Sequence, residues 1–437
     1  MRSRKKLGVA AAAIAALGVG VAGVSTAGAT GNPPSLSGQS INVAIAYPAP
    51  KADLAQFTKQ TGIKVNWDYV QWDSLQTKIA AAAESHSYFA DVADVDWSKV
   101  GEYYATKWFM PLNKYFPISG VKAQYPQATA FIRNGQLLGM PMDGSLLVTT
   151  MNEKYLKAAG IKKDPTTLAQ YKTDLQAIAA KTPAKNPLDI PFAAAEGLST
   201  YWYEMTAAFG GNVLSASYKP LFTSPSSPGY KAMTWMVNAY KSGLVPKANL
   251  NMVDYQALST DQAHGLTASV FSDYSGDVGT IYNVPSESKV VGHVNYIPTP
   301  GASGVGSNLG NPDGIGIPAS AKHVQAAVEF MKWMEQPAIQ AAFAGAKGSK
   351  YVMQTFPLPS NRGGLADLVK SNKVPGAATL QSLLEHHAKP IFPAGAPPWY
   401  SQFSNAVYTN IHQAAAGSES VSSAINAIAN QVKSLGG

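Results

Sequence analysis

Aromatic and carboxylate side chains recur at predicted strand ends and loop edges, and these are the residues whose types and spacing suggest chemistry. The candidates are Tyr47, Trp72, Asp73, Asp96, Trp97, Asp143, Tyr201, Trp202, Asp273, Tyr274, Asn311, Trp399 and Tyr400. Flat rings stack on the apolar C–H face of a pyranose, and carboxylates or amides hydrogen-bond to its hydroxyl groups. The set therefore predicts a binding site for a sugar or a similar small solute. Core packing is the alternative at each position, and it is favoured for Trp67 and Tyr69, which alternate along a predicted strand.

Catalytic motifs are scarce in this sequence. It contains neither a G-x-S-x-G elbow for a serine nucleophile nor an H-E-x-x-H zinc motif. The adjacent histidines of Glu385-His386-His387 would point about 100° apart on a helix, too far apart to share a metal. Glu196, Glu204 and Asp273 could form the carboxylate pair of a glycoside hydrolase only through tertiary contacts, which a sequence does not reveal. We therefore predict a binding protein rather than an enzyme, without a metal or a cofactor.

Residues 1–29 have the pattern of a cleavable signal peptide. Four positive charges between Arg2 and Lys6 precede an uncharged run, and Ala27-Gly28-Ala29 fits an A-x-A cleavage site. A permanent membrane anchor is the alternative, since the uncharged run is close to the ~20 residues of a spanning helix. Cleavage would lower the formal net charge from +8 to +4, which is too mild a balance to indicate nucleic-acid binding.

The absence of cysteine in all 437 residues bears on the compartment. Exported proteins are permitted disulfides, but this chain has none, so its stability must come from packed cores. An N-terminal lipid-modified cysteine is excluded for the same reason. We expect a periplasmic or secreted protein that is exported by its signal peptide and is not lipid-anchored.

Hydrophobic periodicity then predicts alternating strands and helices. Residues 30–39 read as a Pro/Ser/Gly-rich linker, and residues 41–45, 63–69 and 92–96 follow as strands separated by amphipathic helices. This alternation indicates right-handed crossovers and a largely parallel sheet. Near the C-terminus, residues 399–435 read as two more helices.

The stretch Leu137–Gly160 marks a change in organisation. It reads as two short strands around an Asp143-Gly144 corner, followed by a helix that begins after Asn152 and ends at Gly160. A plain hairpin is the alternative, but new helices follow, so we interpret the corner as the passage from one α/β lobe into another. A later amphipathic helix is predicted to begin at Ser320 as its N-cap.

Five motifs, read in order, carry a resemblance to a known family. They are Ile63-Lys-Val65 with Trp72-Asp73, Asp91-Val-Ala-Asp-Val95-Asp-Trp97 with Met110-Pro-Leu112, Leu138-Gly-Met-Pro141 with Met151-Asn152, Tyr240-Lys-Ser-Gly243-Leu-Val-Pro246, and Ile297-Pro-Thr-Pro300 with Gly314-Ile-Gly316. In order and spacing the chain resembles a family-1 extracellular solute-binding protein, the carbohydrate-binding component of ABC importers. Trp399-Tyr400 resembles a family position that often supplies a sugar-facing ring. The family often has a tryptophan near Tyr274, so the corresponding ring here is Tyr274 or is absent.

The resemblance implies an α/β, type II-like periplasmic-binding-protein fold with two lobes, three hinge crossings and a C-terminal helical part. Lobe one would comprise residues 40–146 with 314–348, and lobe two residues 147–313 with 349–437. Hinges would lie at the Asp143-Gly144 corner, at Asn311–Asp313 and near Lys350.

The resemblance also implies a function. A sugar or oligosaccharide would be captured between the lobes and delivered to an ABC importer membrane permease, and we expect the protein to act as a monomer. Three alternatives remain open from the residues alone: a binder of the same fold for a polyamine or phosphate ester, a secreted glycoside hydrolase, and a structural surface protein.

Overall fold

The computed structural model describes residues 36–253, 255–344 and 358–436. The predicted signal peptide and most of the predicted linker lie outside these residues. Within them the strands are β1 Ser40–Ile45, β2 Lys64–Tyr69, β3 Val92–Asp96, β4 Ile132–Arg133, β5 Gln136–Leu137, β6 Met140–Pro141, β7 Leu147–Asn152, β8 Leu188–Asp189, β9 Ser269–Tyr274, β10 Val294–Ile297, β11 Asn308–Gly310, β12 Asp313–Gly316 and β13 Ala388–Pro390.

Helices fill the intervals between most of these strands and dominate the C-terminal part, as predicted. They are α1 Lys51–Thr61, α2 Trp72–Glu84, α3 Val100–Thr106, α4 Ile118–Gln124, α5 Glu153–Ala159, α6 Leu168–Lys181, α7 Glu196–Ala208, α8 Pro228–Lys241, α9 Tyr255–Ala263, α10 Val324–Met334, α11 Pro337–Phe343, α12 Arg362–Ser371, α13 Ala377–His386, α14 Tyr400–Ala416 and α15 Val421–Ser434. No helix among the described residues is long and apolar enough to span a membrane.

A five-stranded sheet in the order β2-β1-β3-β12-β6 forms the centre of the first lobe. Strands β1, β2 and β3 are parallel, with α1 and α2 as the crossovers, whereas β12 returns antiparallel between β3 and β6. Ile41, Val43 and Ile45 are fully buried in its core. Late residues of the chain, including Ile315 and Phe330, complete the same core.

A four-stranded sheet in the order β10-β7-β9-β8 forms the centre of the second lobe. Its β7–β9 and β10–β7 pairs are antiparallel, and its short β8–β9 pair is parallel. The predicted parallel arrangement, drawn from the strands within residues 41–96, is found in β1, β2 and β3. Helices α7, α8, α14 and α15 pack together on this lobe. The stripe of α15 containing Ile425, Ile428 and Val432 is buried, as its helical spacing predicts.

Local signals set several helix ends. The Asn152 side chain accepts a hydrogen bond from Lys154 N at 3.0 Å, and Gly160 ends α5 with φ of 82°. The predicted Ser320 cap is wrong, because α10 begins at Val324. The preceding loop is held instead by the distant Asp91 carboxylate, whose Oδ1 accepts from Lys322 N and His323 N at 2.9 Å each.

The edge position of β2 changes the environment of its aromatic residues. Trp67 is half-buried and packs against the core of the first lobe, while its Nε1 donates to the Tyr47 carbonyl at 2.8 Å. Tyr69 is 47% exposed, so the core interpretation is wrong for this ring. An edge strand has a neighbour on one side only, so its side chains are less covered than those of a central strand.

Candidate ligand-binding cleft

Adjacent chain crossings join the two lobes. The segment 142–146 leads from β6 to β7, and the segment 310–313 returns from β11 to β12. Gly144 N donates to Leu358 O at 2.8 Å, Met142 N to Asp313 O at 2.8 Å, and Asn311 N to Ser145 O at 2.9 Å. The first two crossings and the end of the third are therefore hydrogen-bonded side by side. The predicted hinge near Lys350 lies outside the described residues.

The position of Gly144 in this junction requires the absence of a side chain. A Cβ on this residue would lie 2.6 Å from the Pro359 carbonyl oxygen, closer than non-bonded atoms approach. The glycine thus allows the first and third crossings to touch, which is a steric reason for the Asp143-Gly144 corner.

The cleft-facing edge of the first lobe follows from strand direction. Parallel strands β1, β2 and β3 end at the same edge of the sheet, which places Tyr47, Tyr69 and Asp96 along it. Antiparallel β12 begins at this edge, where Asp313 is the register partner of Asp96. Asp143 follows the end of β6 and reaches the same place. Ligands of open α/β sheets bind at this kind of edge.

Asp96 and Asp143 are buried and hold local turns. Asp96 accepts from Ser98 N at 2.7 Å and from Ser98 Oγ at 3.0 Å. Asp143 Oδ1 accepts from Ser145 N and Asp313 N, both at 3.1 Å, while its Oδ2 accepts from the Tyr47 hydroxyl. Both predicted carboxylates therefore lie at the cleft edge with their acceptor positions largely occupied by the protein.

Asp94 and Asp313 complete a carboxylate cluster that the sequence prediction missed. Asp94 is fully buried and its Oδ1 lies 3.5 Å from Gln76 Nε2, whereas its Oδ2 has no hydrogen-bond partner among the described residues. Asp313 is partly exposed, and its Oδ2 lies 3.4 Å from the Tyr47 hydroxyl. The signal for Asp94 was available, since residues two apart on a strand share a face. Asp94 lies two residues before Asp96 on β3.

The carboxylates of the cluster have raised pKa values because they are desolvated and close together. Burial raises the pKa of Asp143 to about 6. Burial, followed by the charges of Asp96 and Asp143, raises the pKa of Asp94 well above its usual range. Burial and the charges of Asp94 and Asp143 do the same for Asp313. Burial also raises the pKa of Asp96, against the opposing effect of the Ser98 donors.

The facing wall, from the second lobe, contains aromatic and carboxylate groups. Trp97 packs against Phe392 and Tyr400, with ring centroids 6.2 and 5.4 Å away. The Tyr400 hydroxyl donates to Glu196, which also accepts from Ser404 Oγ at 2.7 Å. Glu196 is accessible to solvent, yet the surrounding protein desolvates its carboxylate and raises its pKa to about 7. Trp97 from the first lobe and Tyr400 from the second thus bring the two lobes into contact.

Four other predicted residues have exposed or half-buried side chains. Trp72 is 38% exposed at the start of α2, beside Tyr69 at the cleft-facing edge. Tyr274 ends β9 opposite Leu147, next to the first crossing, and is half-buried. Asn311 lies in the second crossing, and Trp399 immediately precedes α14; both are also half-buried. The side chain of Asp73 lies outside the part of the chain that the structure describes.

Three predicted residues lie in the core of the second lobe instead of the cleft. Tyr201 and Trp202 are fully buried, and they donate to the carbonyls of Asp189 and Gly229 at 2.9 and 2.8 Å. Asp273 is also fully buried, and it accepts from Thr150 Oγ1 at 2.8 Å and from the Tyr282 hydroxyl at 2.6 Å. Helix α7 is buried along its whole second half, so the aromatic pair found in the sequence packs inward.

The lobes also meet along the rim of the cleft. Arg133, from the first lobe, donates to the Tyr218 hydroxyl and, at 2.7 Å, to the Ala394 carbonyl of the second. Its guanidinium lies 5.0 Å from the centroid of the Tyr218 ring. Lys99 Nζ lies 2.5 Å from Ser401 Oγ across the same interface.

Because the lobes touch, the space between them is small. An inter-lobe cavity lined by Trp97, Pro312 and Phe392, among others, has a volume of about 40 Å³. Pockets for small ligands usually measure ~300 Å³ or more, so this cavity is too small to hold a sugar. A larger cavity of about 190 Å³, lined by Phe89, Trp108 and neighbours, lies at the opposite edge of the first lobe.

The arrangement can bind polar molecules through acceptors and rings, and it offers little for metal chemistry. No group of three or more His, Asp or Glu among the described residues is placed to hold a metal ion. Glu196 and Glu204, weighed as hydrolase carboxylates, differ in environment. Glu204 is fully buried in the second lobe, where its Oε2 accepts from Leu309 N at 2.7 Å.

Solved structures share this architecture. The chain is similar to an ABC transporter solute-binding protein from Agrobacterium radiobacter K84 in complex with ribitol, at 19% identity and a TM-score of 0.74, over 92% of this chain and 99% of that one. It is similar to a maltose-bound MalE3 from T. maritima, at 18% identity and a TM-score of 0.72, over 91% and 99%. A solute-binding protein from Thermotoga lettingae bound to α-D-tagatose matches at 17% identity and a TM-score of 0.75, over 91% and 100%. These likenesses show the two-lobed fold.

The sequence itself establishes the family. No curated protein sequence matches the chain significantly. The profile of the bacterial extracellular solute-binding proteins matches residues 39–341, which is more than half of the chain and spans both lobes. The chain therefore belongs to the family of bacterial extracellular solute-binding proteins.

Proposed function

We propose that this protein is the solute-binding component of an ABC importer, and that it captures a sugar or oligosaccharide in the cleft between its lobes. The observation that carries the proposal is the meeting of rings and carboxylates at one cleft. Tyr47, Trp97 and Asp313 approach it from the first lobe, and Glu196 and Tyr400 from the second. Such groups suit the apolar face and the hydroxyl rim of a sugar.

Structural relatives support this ligand class. The matched proteins contain ribitol, maltose and α-D-tagatose, all of which are polyhydroxylated. Their low identity to this chain means that the specificity must come from its own residues.

We infer that the lobes open and close around the ligand. Lobe one would consist of residues 40–146 and 314–348, and lobe two of residues 147–313 and 349–437. The division is supported by a buried core that unites Ile41–Met142 with Ile315–Phe343. The bound sugar would favour the closed form, which docks on a membrane permease.

Export and the mode of action complete the proposal. The signal peptide delivers the protein to the periplasm or the exterior, without a lipid anchor, and the mature chain works as a monomer that binds no nucleic acid. It releases its ligand unchanged, in keeping with a family of binding proteins.

A thermal-shift screen of the mature protein from Thr30 tests this function. The panel contains mono- and oligosaccharides, polyamines and phosphate esters, and each positive sample is analysed for products. A rise in melting temperature with a sugar class, without product formation, is expected. Stabilisation by phosphate esters alone, or turnover of a chromogenic glycoside, would reject it.

A further inference from the structure

The carboxylate cluster at the cleft-facing edge of the first lobe receives little positive charge from the described residues. Asp94, Asp96, Asp143 and Asp313 influence one another electrostatically. None of the four forms an ion pair with a lysine, arginine or histidine of the described residues. Lys99 lies near Asp96 alone, and that carboxylate is already bound to Ser98.

Asp94 is the member of the cluster whose carboxylate can accept a further hydrogen bond. Its side chain is 0% exposed, yet no group in the described part of the chain forms a hydrogen bond with its Oδ2. Its charge acts on Asp313, Asp143 and the Tyr47 hydroxyl, so the carboxylate faces the interior of the cluster. An unpartnered buried acceptor is costly, and a ligand, an ion or a proton is among the partners that can satisfy it.

Solvent reaches the cluster from the cleft. Asp313 and Tyr47 are both partly exposed. Among the described residues, the Asp313 carboxylate receives one hydrogen bond, the 3.4 Å contact from Tyr47. A group that enters from the cleft therefore meets Asp313 and Tyr47 first and Asp94 behind them.

We propose that the ligand carries a free ammonium group, as an amino sugar does, and that this group binds between Asp94 and Asp313 beside Tyr47. The inference rests on the proposed function, because it specifies which sugars the cleft takes. An ammonium donates three hydrogen bonds and supplies the missing positive charge. A metal ion fits less well, since no group of three or more ligating side chains among the described residues is placed to hold one.

The neighbouring rings favour an amino sugar over an open-chain polyamine. Trp72 and Tyr69 expose 38% and 47% of their surface at the same edge. A pyranose ring offers a flat apolar face for such rings, whereas a polyamine would use further carboxylates along its length.

Binding of an ammonium group to the cluster should release protons. Burial and the neighbouring carboxylates raise the pKa values of Asp94 and Asp313, and an ammonium beside them favours their charged forms. The complex therefore releases protons from these carboxyls to the solvent, and measured binding enthalpy changes with the ionisation enthalpy of the buffer. A neutral sugar leaves the cluster charge unchanged and lacks this dependence.

Isothermal titration calorimetry of the mature chain tests the inference. The probes are glucosamine and its β-1,4 oligomers, the matching N-acetyl sugars, maltose, putrescine and spermidine. N-acetylation removes the charge and keeps the ring. We expect the free amine to bind at least about 30-fold more tightly than its acetylated counterpart, the change expected when one partner of a buried charged pair is removed.

Variants inside and outside the cluster distinguish loss of the binding site from a general effect of removing a buried carboxylate. Asp94→Asn and Asp313→Asn should each weaken amino-sugar binding by at least about 30-fold and reduce proton release. Glu204→Gln is the control, because Glu204 is likewise fully buried with one unpartnered oxygen but lies outside the cluster. Its binding should match wild type, and circular dichroism verifies that each variant is folded.

The outcomes are distinguishable. Equal or tighter binding of neutral sugars overturns the inference and leaves the proposed function intact. Binding of polyamines without any sugar overturns both, as does the absence of binding by every probe. Normal amino-sugar binding by folded Asp94→Asn and Asp313→Asn rejects the cluster as the site.

Discussion

The contact of Arg133 with the second lobe provides a quantitative test of lobe closure. Arg133→Met keeps the length of the side chain and removes its charge, together with the hydrogen bonds to Tyr218 and Ala394. A charge-assisted hydrogen bond contributes about 1.5–3 kcal/mol and a cation–π contact about 0.5–1 kcal/mol. Arg133 and Tyr218 are both half-buried, so screening reduces the sum to about 2 kcal/mol, or ~30-fold in the closure equilibrium.

Two measurements follow from that magnitude. Small-angle scattering should show a larger radius of gyration for the variant, because the open form becomes more populated. The dissociation constant of the identified ligand should rise by up to about 30-fold, since the ligand must supply the lost closure energy.

Lys247→Met is the matched control. Lys247 lies 4.4 Å from the Tyr240 ring centroid and donates to the Tyr240 carbonyl at 3.3 Å, with both residues in the second lobe. The Lys247→Met variant therefore loses a similar contact without affecting lobe closure. An unchanged scattering curve for Arg133→Met, with affinity within about two-fold of wild type, would refute the role of this contact in closure.

Three further predictions concern the junction, the cleft rings and pH. Gly144→Ala should lower the free energy of unfolding by roughly 1–3 kcal/mol, because the new Cβ would lie 2.6 Å from the Pro359 carbonyl oxygen. Urea titration measures this free energy, and an unchanged value would contradict the steric argument. Trp72→Ala should weaken sugar binding by roughly 3- to 10-fold, because the exposed ring is free to stack on a sugar. The free energy of unfolding should change by less than about 1 kcal/mol, since the ring is not in the core. An unchanged affinity would show that Trp72 is not part of the site. Burial raises the pKa of Asp189 to about 7, so the folded state keeps a proton that the unfolded chain releases near pH 4, and stability falls as pH rises from 4 to 7. Asp189→Asn should remove at most about 4 kcal/mol of that fall, and an identical pH profile would contradict the pKa.

Some strands and helix ends could be predicted from residues that are close together in the sequence. The alternation of Ile41, Val43 and Ile45 predicted β1, and the Asn152 and Gly160 signals predicted both ends of α5. These features depend on residues within one turn or one strand of each other. The Ser320 cap failed because Asp91, more than 200 positions away in the chain, holds the loop before α10.

The candidate site was predictable only in part. Asp96, Trp97 and Asp143 were found because each follows or ends an apolar strand, and such ends converge at one edge. The sequence did not distinguish Tyr201 and Trp202 from rings that face the cleft. Their burial results from the packing of α8 and α14 around helix α7, which is a tertiary contact.

The sequence by itself predicted an export signal and determined the order of strands and helices and the family motifs, because each depends on composition or on neighbours along the chain. Only the tertiary structure decided which rings are buried and which carboxylates meet. Asp94, Asp143 and Asp313 come together because β12 returns antiparallel beside β3 and the crossings are hydrogen-bonded to one another. That register is set by packing between segments far apart in the chain, and no local pattern encodes it.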